Sequence, residues 1–499
     1  MDIITASLVL TALGVIAWGF YRALPLGKLG ILAWLQSVVL LTPWLLSFSF
    51  IAAGIAINLA SILLLLVCSI VLYIVLGNRL RATSQEAVLS QQNRSATNSS
   101  AKNEATSFED NGTVQPPSDG IATAREPELA PIPEADLKVI QGIFGLDTFF
   151  ATETIPYQEG VIFKGNLRQD PEVAYSRLSE RLTEHLDDQY RLFLVENQDG
   201  KPVVIVLPSQ NDPKPTTLAQ KVLAGLFLLA TIFTCLEAAA LLQRFDLLEA
   251  PERFGEALPI ALGILSILGI HEVGHRVLTH RHRVRLGPPF LIPAWQIGSF
   301  GAITQFASQV PNRRALFDIA LAGPAAAGVL SLVLLIIGLL LSNTSSLFQI
   351  PASFFQGSIL VGSLARVVLG SAMQQPLVAV HPLVVVGWLG LVITALNLMP
   401  AGRLDGGRIV QAIYGRKVAG RATVVTLIVL AIASLANPLA LYWAVVILFI
   451  QRELERPSLE ELSEPDDARA ALGLLALFLM AATLLPLTPG LAGRLGIGH

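Results

Sequence analysis

His271, Glu272 and His275 stand near the end of a long apolar run, inside ILGIHEVGHRVLTHRHRVR from Ile267 to Arg285. On a helix, residues four apart share a face, so the two imidazoles can offer ring nitrogens to one metal ion. Glu272 projects about 100° round the helix from His271, beside such a metal without binding it. Two histidines and a glutamate at this spacing form the pattern of a zinc hydrolase, in which the glutamate takes a proton from metal-bound water. The plainer alternative is a helix end whose histidines merely reach for the interface beside Arg276 and Arg281. Against it, a lipid-buried helix does not carry two imidazoles and a carboxylate without cost. Catalytic zinc takes three protein ligands and a water. The downstream position at which one class of zinc proteases places a third histidine is Arg281, so the third ligand comes from elsewhere.

The elements that position these residues are helices in a membrane. The 499-residue chain is 53% hydrophobic and 14% charged, with a mean hydropathy of +0.61, whereas soluble domains are about 25% charged. The expected fold class is an all-α polytopic membrane protein of about nine or ten transmembrane helices by span length. It carries a small soluble α/β domain. A net charge of −3 without a basic cluster argues against nucleic acid as a partner. Cys68 and Cys235 both lie in apolar runs, which excludes a disulfide framework or a cysteine-rich metal site. No basic segment precedes the first apolar run, so neither a cleavable signal nor a transit segment is expected.

Four segments follow from composition. Residues 1–81 hold three apolar runs, Ile3 to Phe20, Ile31 to Phe50 and Ile55 to Leu76, each near the length of about 18 to 20 residues that crosses a bilayer. Arg22 and Lys28, then Arg79 and Arg81, place those ends inside and the N-terminus outside. Residues 82–133 are rich in Ser, Asn, Gln and Glu and read as a disordered linker. Residues 134–212 form the soluble domain. Asp170 caps a helix opening at Pro171 with Ala174, Leu178, Leu182 and Leu186 on one face, and RLFLVE and PVVIVL flank the hairpin signal Asn197 to Gly200. Gly165 to Arg168, GNLR, reads as a strand-to-helix turn, or else as a contact for substrate or partner.

Residues 213–499 are the second membrane region. Leu218 to Leu242 and Leu258 to about Leu278 are spans, the second ending inside at Arg276, Arg281, Arg283 and Arg285; His280 and His282 share that basic tail. The stretch after it, through Gly298-Ser299-Phe300-Gly301, is apolar but too rich in Gly and Pro for a helix. It is either a connecting loop or an extended or re-entrant segment at membrane depth with backbone free to pair with an unwound peptide. Ala315 to Leu341 is a span with Asp318 near its start, which an ion pair explains better than a metal. His381 opens the next span, on the wrong side for the metal. That span, Leu383 to Met399, ends inside in ALNLMPAGRLDGGRIVQ. Asp405 therefore lies at the same membrane depth as His271 and His275 and can reach a metal held by them. Taken alone, Asp405-Gly406 is an ordinary turn, and Asn397 a cap for backbone freed by Pro400. Arg408, Arg416, Lys417 and Arg421 mark the inside. Two short runs split by Asn437-Pro438, a solvated acidic loop from Glu453 to Asp467, and a last span from Ala470 to Leu487 complete the chain.

HEVGH followed by Asn397-x-x-Pro400-x-x-x-x-Asp405-Gly406 resembles the site-2 protease family of intramembrane zinc metallopeptidases, peptidase family M50. The resemblance implies that His271, His275 and Asp405 bind one zinc ion, that Glu272 is the general base, and that Asn397 stabilises the substrate or the developing oxyanion. It implies that Gly298 to Thr304 is a membrane-embedded β-loop. GNLR ahead of HEVGH is similar to the chloroplast and cyanobacterial branch of ethylene-dependent gravitropism-deficient and yellow-green proteins. Without a transit peptide, the expectation is a cyanobacterial protein of the plasma or thylakoid membrane. Its active site opens toward the cytoplasm, and its partners are membrane-protein substrates and the lipid bilayer. A catalytically silent scaffold or chaperone of the same fold is the alternative, against which an intact Glu272 argues. A metal transporter would need acids and histidines along several spans.

Overall fold

The computed structural model describes residues 132–497 except 158, 198, 296, 436 and 449–452, together with parts of 20–79. The chain divides into two units, Met1–Glu126 with Leu427–Ile450, and Pro127–Thr426 with Gln451–His499.

In the first unit, helix α1 (Gly27–Ala52) covers the second expected span and contains Pro43. Gln36 Nε2 donates to the Tyr73 carbonyl at 3.4 Å, and Ser69 Oγ donates to the Val39 carbonyl. All but Phe20 of the first expected span and most of the third lie outside the described residues, as does nearly all of the expected linker at 82–133.

The second unit begins with α2 (Glu134–Gly142), β1 (Phe149–Tyr157), β2 (Gly160–Leu167), α3 (Pro171–Leu186), β3 (Tyr190–Glu196) and β4 (Pro202–Pro208). The strands form one antiparallel sheet in the order β1-β2-β4-β3. Asp170 caps α3 by accepting the Glu172 N–H at 3.1 Å. The apolar stripe Ala174, Leu178 and Leu182 is buried, the two leucines packing on Phe149, Phe163, Leu194 and Val204. Asn197 Oδ1 accepts the Asp199 and Lys201 N–H groups and closes the β3–β4 hairpin. GNLR differs from its expected place. Gly165 to Leu167 end strand β2 rather than making the turn. A Cβ on Gly165 would stand 2.2 Å from the Phe150 carbonyl oxygen, so close pairing with β1 accounts for the glycine.

Next come α4 (Leu218–Leu242), α5 (Phe254–Arg281), β5 (Phe290–Ala294), β6 (Gly298–Ile303), α6 (Arg313–Leu341), β7 (Phe348–Pro351), α7 (Ile359–Leu369), β8 (Leu377–Val380) and α8 (Pro382–Asn397). After them lie α9 (Asp405–Ala433, broken at the non-helical Gly415 and in the first unit from Leu427), α10 (Pro438–Val446, in the first unit), α11 (Asp467–Leu484) and α12 (Pro489–Leu495). Among the described residues, four helical stretches are long and apolar enough to cross a membrane: Leu218–Leu242, Pro251–Arg281, Arg313–Leu341 and Asp467–Leu484. Helix α8 is apolar but shorter, at 16 residues.

Small residues let these helices approach. Gly274 of α5 lies against the Ala322 carbonyl of α6, and Gly387 of α8 against Ser331 and Leu335 of α6. Ile260, Ile264 and Ile267 of α5 share a core with Val386 and Ile393 of α8 and Ala239 of α4. Asn312 starts α6 by accepting the Ala315 N–H at 2.9 Å, a cap of the kind that contributes about 1 kcal/mol. His381 likewise caps α8, its Nδ1 accepting the Leu383 N–H at 3.3 Å. The span-free stretch before it is the β7–β8 hairpin enclosing α7.

The acidic loop after α10 is not the solvated connection its composition suggests. Glu455, Ser458 and Glu460 are buried. Leu194 of β3 bonds through its N–H to the Leu459 carbonyl and through its carbonyl to the Glu461 N–H, while Leu459 N–H donates to Val310. The loop thus threads between the β3 edge and the start of α6. Its acids are tolerated there because they have partners, as Glu455 does in Arg408.

Candidate metal centre

Helix α5 presents His271 and His275 one turn apart, and the turn before α9 brings Asp405 to them. The Nε2 atoms of the two histidines are 3.1 Å apart. Asp405 Oδ2 lies 3.2 Å from His271 Nε2 and 3.5 Å from His275 Nε2. The three residues are 4%, 1% and 5% exposed. A tetrahedral zinc with bonds of about 2.0 to 2.1 Å holds its ligand atoms roughly 3.3 Å apart. Three buried donors already at that mutual spacing fit such an ion, and its charge answers the carboxylate that water does not reach.

Several backbone features hold the donors. His275 Nδ1 lies 2.8 Å from the Ile319 carbonyl of α6. That carbonyl can only accept, so Nδ1 carries the proton and Nε2 turns its lone pair inward. Gly323 of α6 lies directly against this ring, and a Cβ there would stand 2.3 Å from His275 Nε2. Before α9, a Cβ on Gly406 would stand 1.9 Å from the Leu398 carbonyl and one on Gly407 2.3 Å from that of Gly402. The turn after Pro400 therefore closes only with glycines, and its closure delivers Asp405.

Glu272 sits outside the donor triangle. Arg276 Nε lies 2.8 Å from its Oε1, and Thr304 Oγ1 donates to its Oε2 at 3.3 Å. Its side chain is 14% exposed, and Oε1 itself is buried beside Arg276. Thr304 follows the β5–β6 hairpin, whose register pairs Phe290 with Ile303 and Ala294 with Gly298. Asn397, at the end of α8, donates its amide Nδ2 to the Phe300 carbonyl at 3.2 Å and to the Ile393 carbonyl at 2.8 Å. It therefore ties strand β6 to α8.

The other candidates fall away from the centre. Asp318 accepts both Arg469 Nε and Nη2, at 2.7 and 2.9 Å, and faces His282 Nε2 at 3.1 Å. His381 is the α8 cap. His280 has no part in the metal cluster.

Arg408 departs most from its reading as a charge that marks the inside. It is buried, donates to Glu455 Oε2 at 2.9 and 2.7 Å and to the Thr304 carbonyl at 2.6 Å, and its Nη1 lies 3.7 Å from Asp405 Oδ1. One side chain thus joins the donor carboxylate, the hairpin exit and the buried acidic loop. The only trace of this in the sequence is a position three residues after Asp405 on the same helix face.

Residues 259–436 match the model of peptidase family M50, and residues 138–214 match that of the EGY3 middle domain. The "Probable zinc metalloprotease EGY1, chloroplastic" of Arabidopsis thaliana is 38% identical over 402 residues, covering 73% of this chain and 73% of that protein. The chain belongs to the EGY branch of peptidase family M50. The "Probable zinc metalloprotease EGY2, chloroplastic" of Arabidopsis thaliana is 40% identical over 363 residues, 71% of this chain; the match spans 65% of that relative's length, just under two thirds. The "Probable zinc metallopeptidase EGY3, chloroplastic" of the same plant is 32% identical over 381 residues, covering 71% of this chain and 66% of that protein. No solved structure matches the chain. Family M50 membership and four long apolar helices make this a membrane protein.

Proposed function

We propose that this M50 chain is a zinc-dependent intramembrane endopeptidase that hydrolyses peptide bonds within or near the transmembrane helices of membrane-protein substrates. The observation that carries the reading is the buried triangle of His271, His275 and Asp405, with the half-buried Glu272 carboxylate beside it.

His271, His275 and Asp405 would hold one zinc ion. When bound, zinc polarises the scissile carbonyl and acidifies water. Glu272 is the proton carrier: it accepts a proton from the attacking water and returns it to the leaving amine. Arg276 and Thr304 keep its two oxygens in place between those transfers. The β5–β6 hairpin is the membrane-embedded β-loop, against which an unwound substrate segment lies extended. Asn397 fixes the Phe300 carbonyl of that loop. Its amide donors reach a developing oxyanion only by releasing Phe300 or Ile393.

The chain is organised as a three-span region (1–81), a linker (82–133), a soluble α/β domain (134–212) and the protease domain (213–499), with nine or ten spans in all. The charge distribution opens the site toward the cytoplasm of a cyanobacterial cell, from the plasma or thylakoid membrane. The soluble domain stands on that side, tied to the protease domain by Arg314 with Glu172 at 2.8 Å and by Gln309 with Asp212 at 3.2 Å, and it positions substrates.

The test compares wild type with Glu272→Gln in detergent against a panel of single-span membrane proteins, with zinc measured on both. Cleavage falling by about 10² to 10⁴-fold with zinc retained is the expected result for loss of a general base. Equal cleavage of one substrate by both proteins refutes the assignment.

A further inference from the structure

Beside Glu272, Arg276 opens onto a cleft of about 740 Å³. Lys221 in the first turn of α4, Arg276 near the end of α5 and Arg285 after it line this cleft, with Thr216, Gly287 and Ala307. All three cations are exposed, and no carboxylate lines the cleft among the described residues. Helices α4 and α5 are consecutive spans that run in opposite directions, so the start of one and the end of the other meet at the same membrane face. Three cations between two spans at that depth form a pocket for an anion at the headgroup level.

The flanking side chains say what carries the anion. Leu218 and Val222 on α4 are 78% and 56% exposed, and Val273 and Val277 on α5 are 50% and 59% exposed. They adjoin Lys221 and Arg276 along the same two helices. A soluble anion or an acidic peptide has no use for this apolar flank. A phospholipid does, with its acyl chains along the valines and leucine and its phosphate over the cations.

We infer that the Lys221–Arg276–Arg285 cleft binds the headgroup of an anionic membrane lipid. Arg276 belongs to both sites, since its Nε holds Glu272 Oε1 at 2.8 Å while the side chain is 50% exposed toward the cleft. A phosphate drawn to Arg276 alters how that side chain holds Glu272, so Arg276 is a positioning residue that links lipid occupancy to the proton carrier. This second consequence rests on the proteolytic reading; the binding itself does not.

The test reads binding first. Full-length protein in non-ionic detergent is stripped of lipid and incubated with equal amounts of phosphatidylglycerol and phosphatidylcholine. Retained lipid is counted by native mass spectrometry, and zinc content checks the fold. Phosphatidylglycerol retained at least tenfold over phosphatidylcholine by the wild type is the expected result. Lys221→Ala with Arg285→Ala lowers that retention about 30-fold, from the usual contribution of a basic residue near an anionic surface. Lys221→Arg with Arg285→Lys keeps it, which separates lost charge from lost fold. Equal retention of the two lipids, or full retention by the alanine pair, overturns the proposal. So does displacement of the lipid by millimolar inorganic phosphate or by an acidic peptide, each of which would make the cleft a site for that ligand instead. Lipid retained by a protein that cleaves nothing would count against the protease and leave the cleft standing. In vesicles, the wild-type rate rises several-fold when phosphatidylglycerol is added to phosphatidylcholine, and the ratio falls toward one in Arg276→Ala.

Discussion

Gly323 has no side chain because His275 occupies the place where one would be: a Cβ there would stand 2.3 Å from His275 Nε2. The donor ring thus lies against one helix, α6, held by the Ile319 carbonyl and given room one turn later by Gly323. Gly323→Ala is expected to push the ring off its position and weaken zinc binding by about 10 to 100-fold, the usual range for a supporting group. Zinc content after dialysis against a graded chelator measures this, with helix content unchanged. Wild-type affinity in the variant would mean that α6 can move away.

Metal removal tests the donor set directly. Chelation is expected to abolish proteolysis and zinc addition to restore it. His271→Ala, His275→Ala and Asp405→Ala should each leave the purified protein without stoichiometric zinc, since catalytic sites rest on three protein ligands. Zinc retained in Asp405→Ala would remove Asp405 from the assignment.

Arg408 and Glu455 form a buried pair, and removing one partner leaves the other charge in the interior. Arg408→Met or Glu455→Gln is expected to destabilise the protein by about 3 to 5 kcal/mol, and the double variant by less than the sum. Thermal unfolding in detergent across the four proteins gives the coupling. Additive losses would mean that the two groups do not depend on each other.

Asn397 separates two roles. As the tie between α8 and strand β6, its replacement by Ala is expected to weaken substrate binding and raise KM along with lowering kcat. A donor to the oxyanion alone would lower kcat and leave KM unchanged. Steady-state kinetics on one cleaved substrate distinguishes the two.

Tyr190, on β3 in the soluble domain, donates to Asp136 Oδ2 at 2.7 Å. Burial, then the acceptor carboxylate, pushes its phenol up to about 12. The folded state holds this proton more tightly than the unfolded one. The associated stability is therefore complete below the ordinary value of about 10 and is lost as pH rises toward 12. Burial raises the Tyr175 phenol as well, so tyrosinate absorbance should show late-titrating phenols and lose one of them in Tyr190→Phe. No change in that variant would contradict the coupling to Asp136.

The sequence alone determined what depends on spacing along one helix or strand. His271 and His275 face one way because they are four apart, Glu272 stands beside them because it is the next residue, and the α3 stripe from Ala174 to Leu182 is buried because its period is helical. Matching the two HExxH-type and Asp-Gly ends by membrane depth also pointed to Asp405. Packing decided the rest. Whether Asp405 stands 3.2 Å from His271 or much further depends on how α5, α6 and the turn before α9 meet, and that rests on glycines whose need is invisible until the opposing backbone is in place. Arg408 and Glu455, in the loop from Glu453 to Asp467, read as solvated because charge normally seeks water. They are buried because they neutralise each other, a pairing between residues far apart in the chain that no local pattern records.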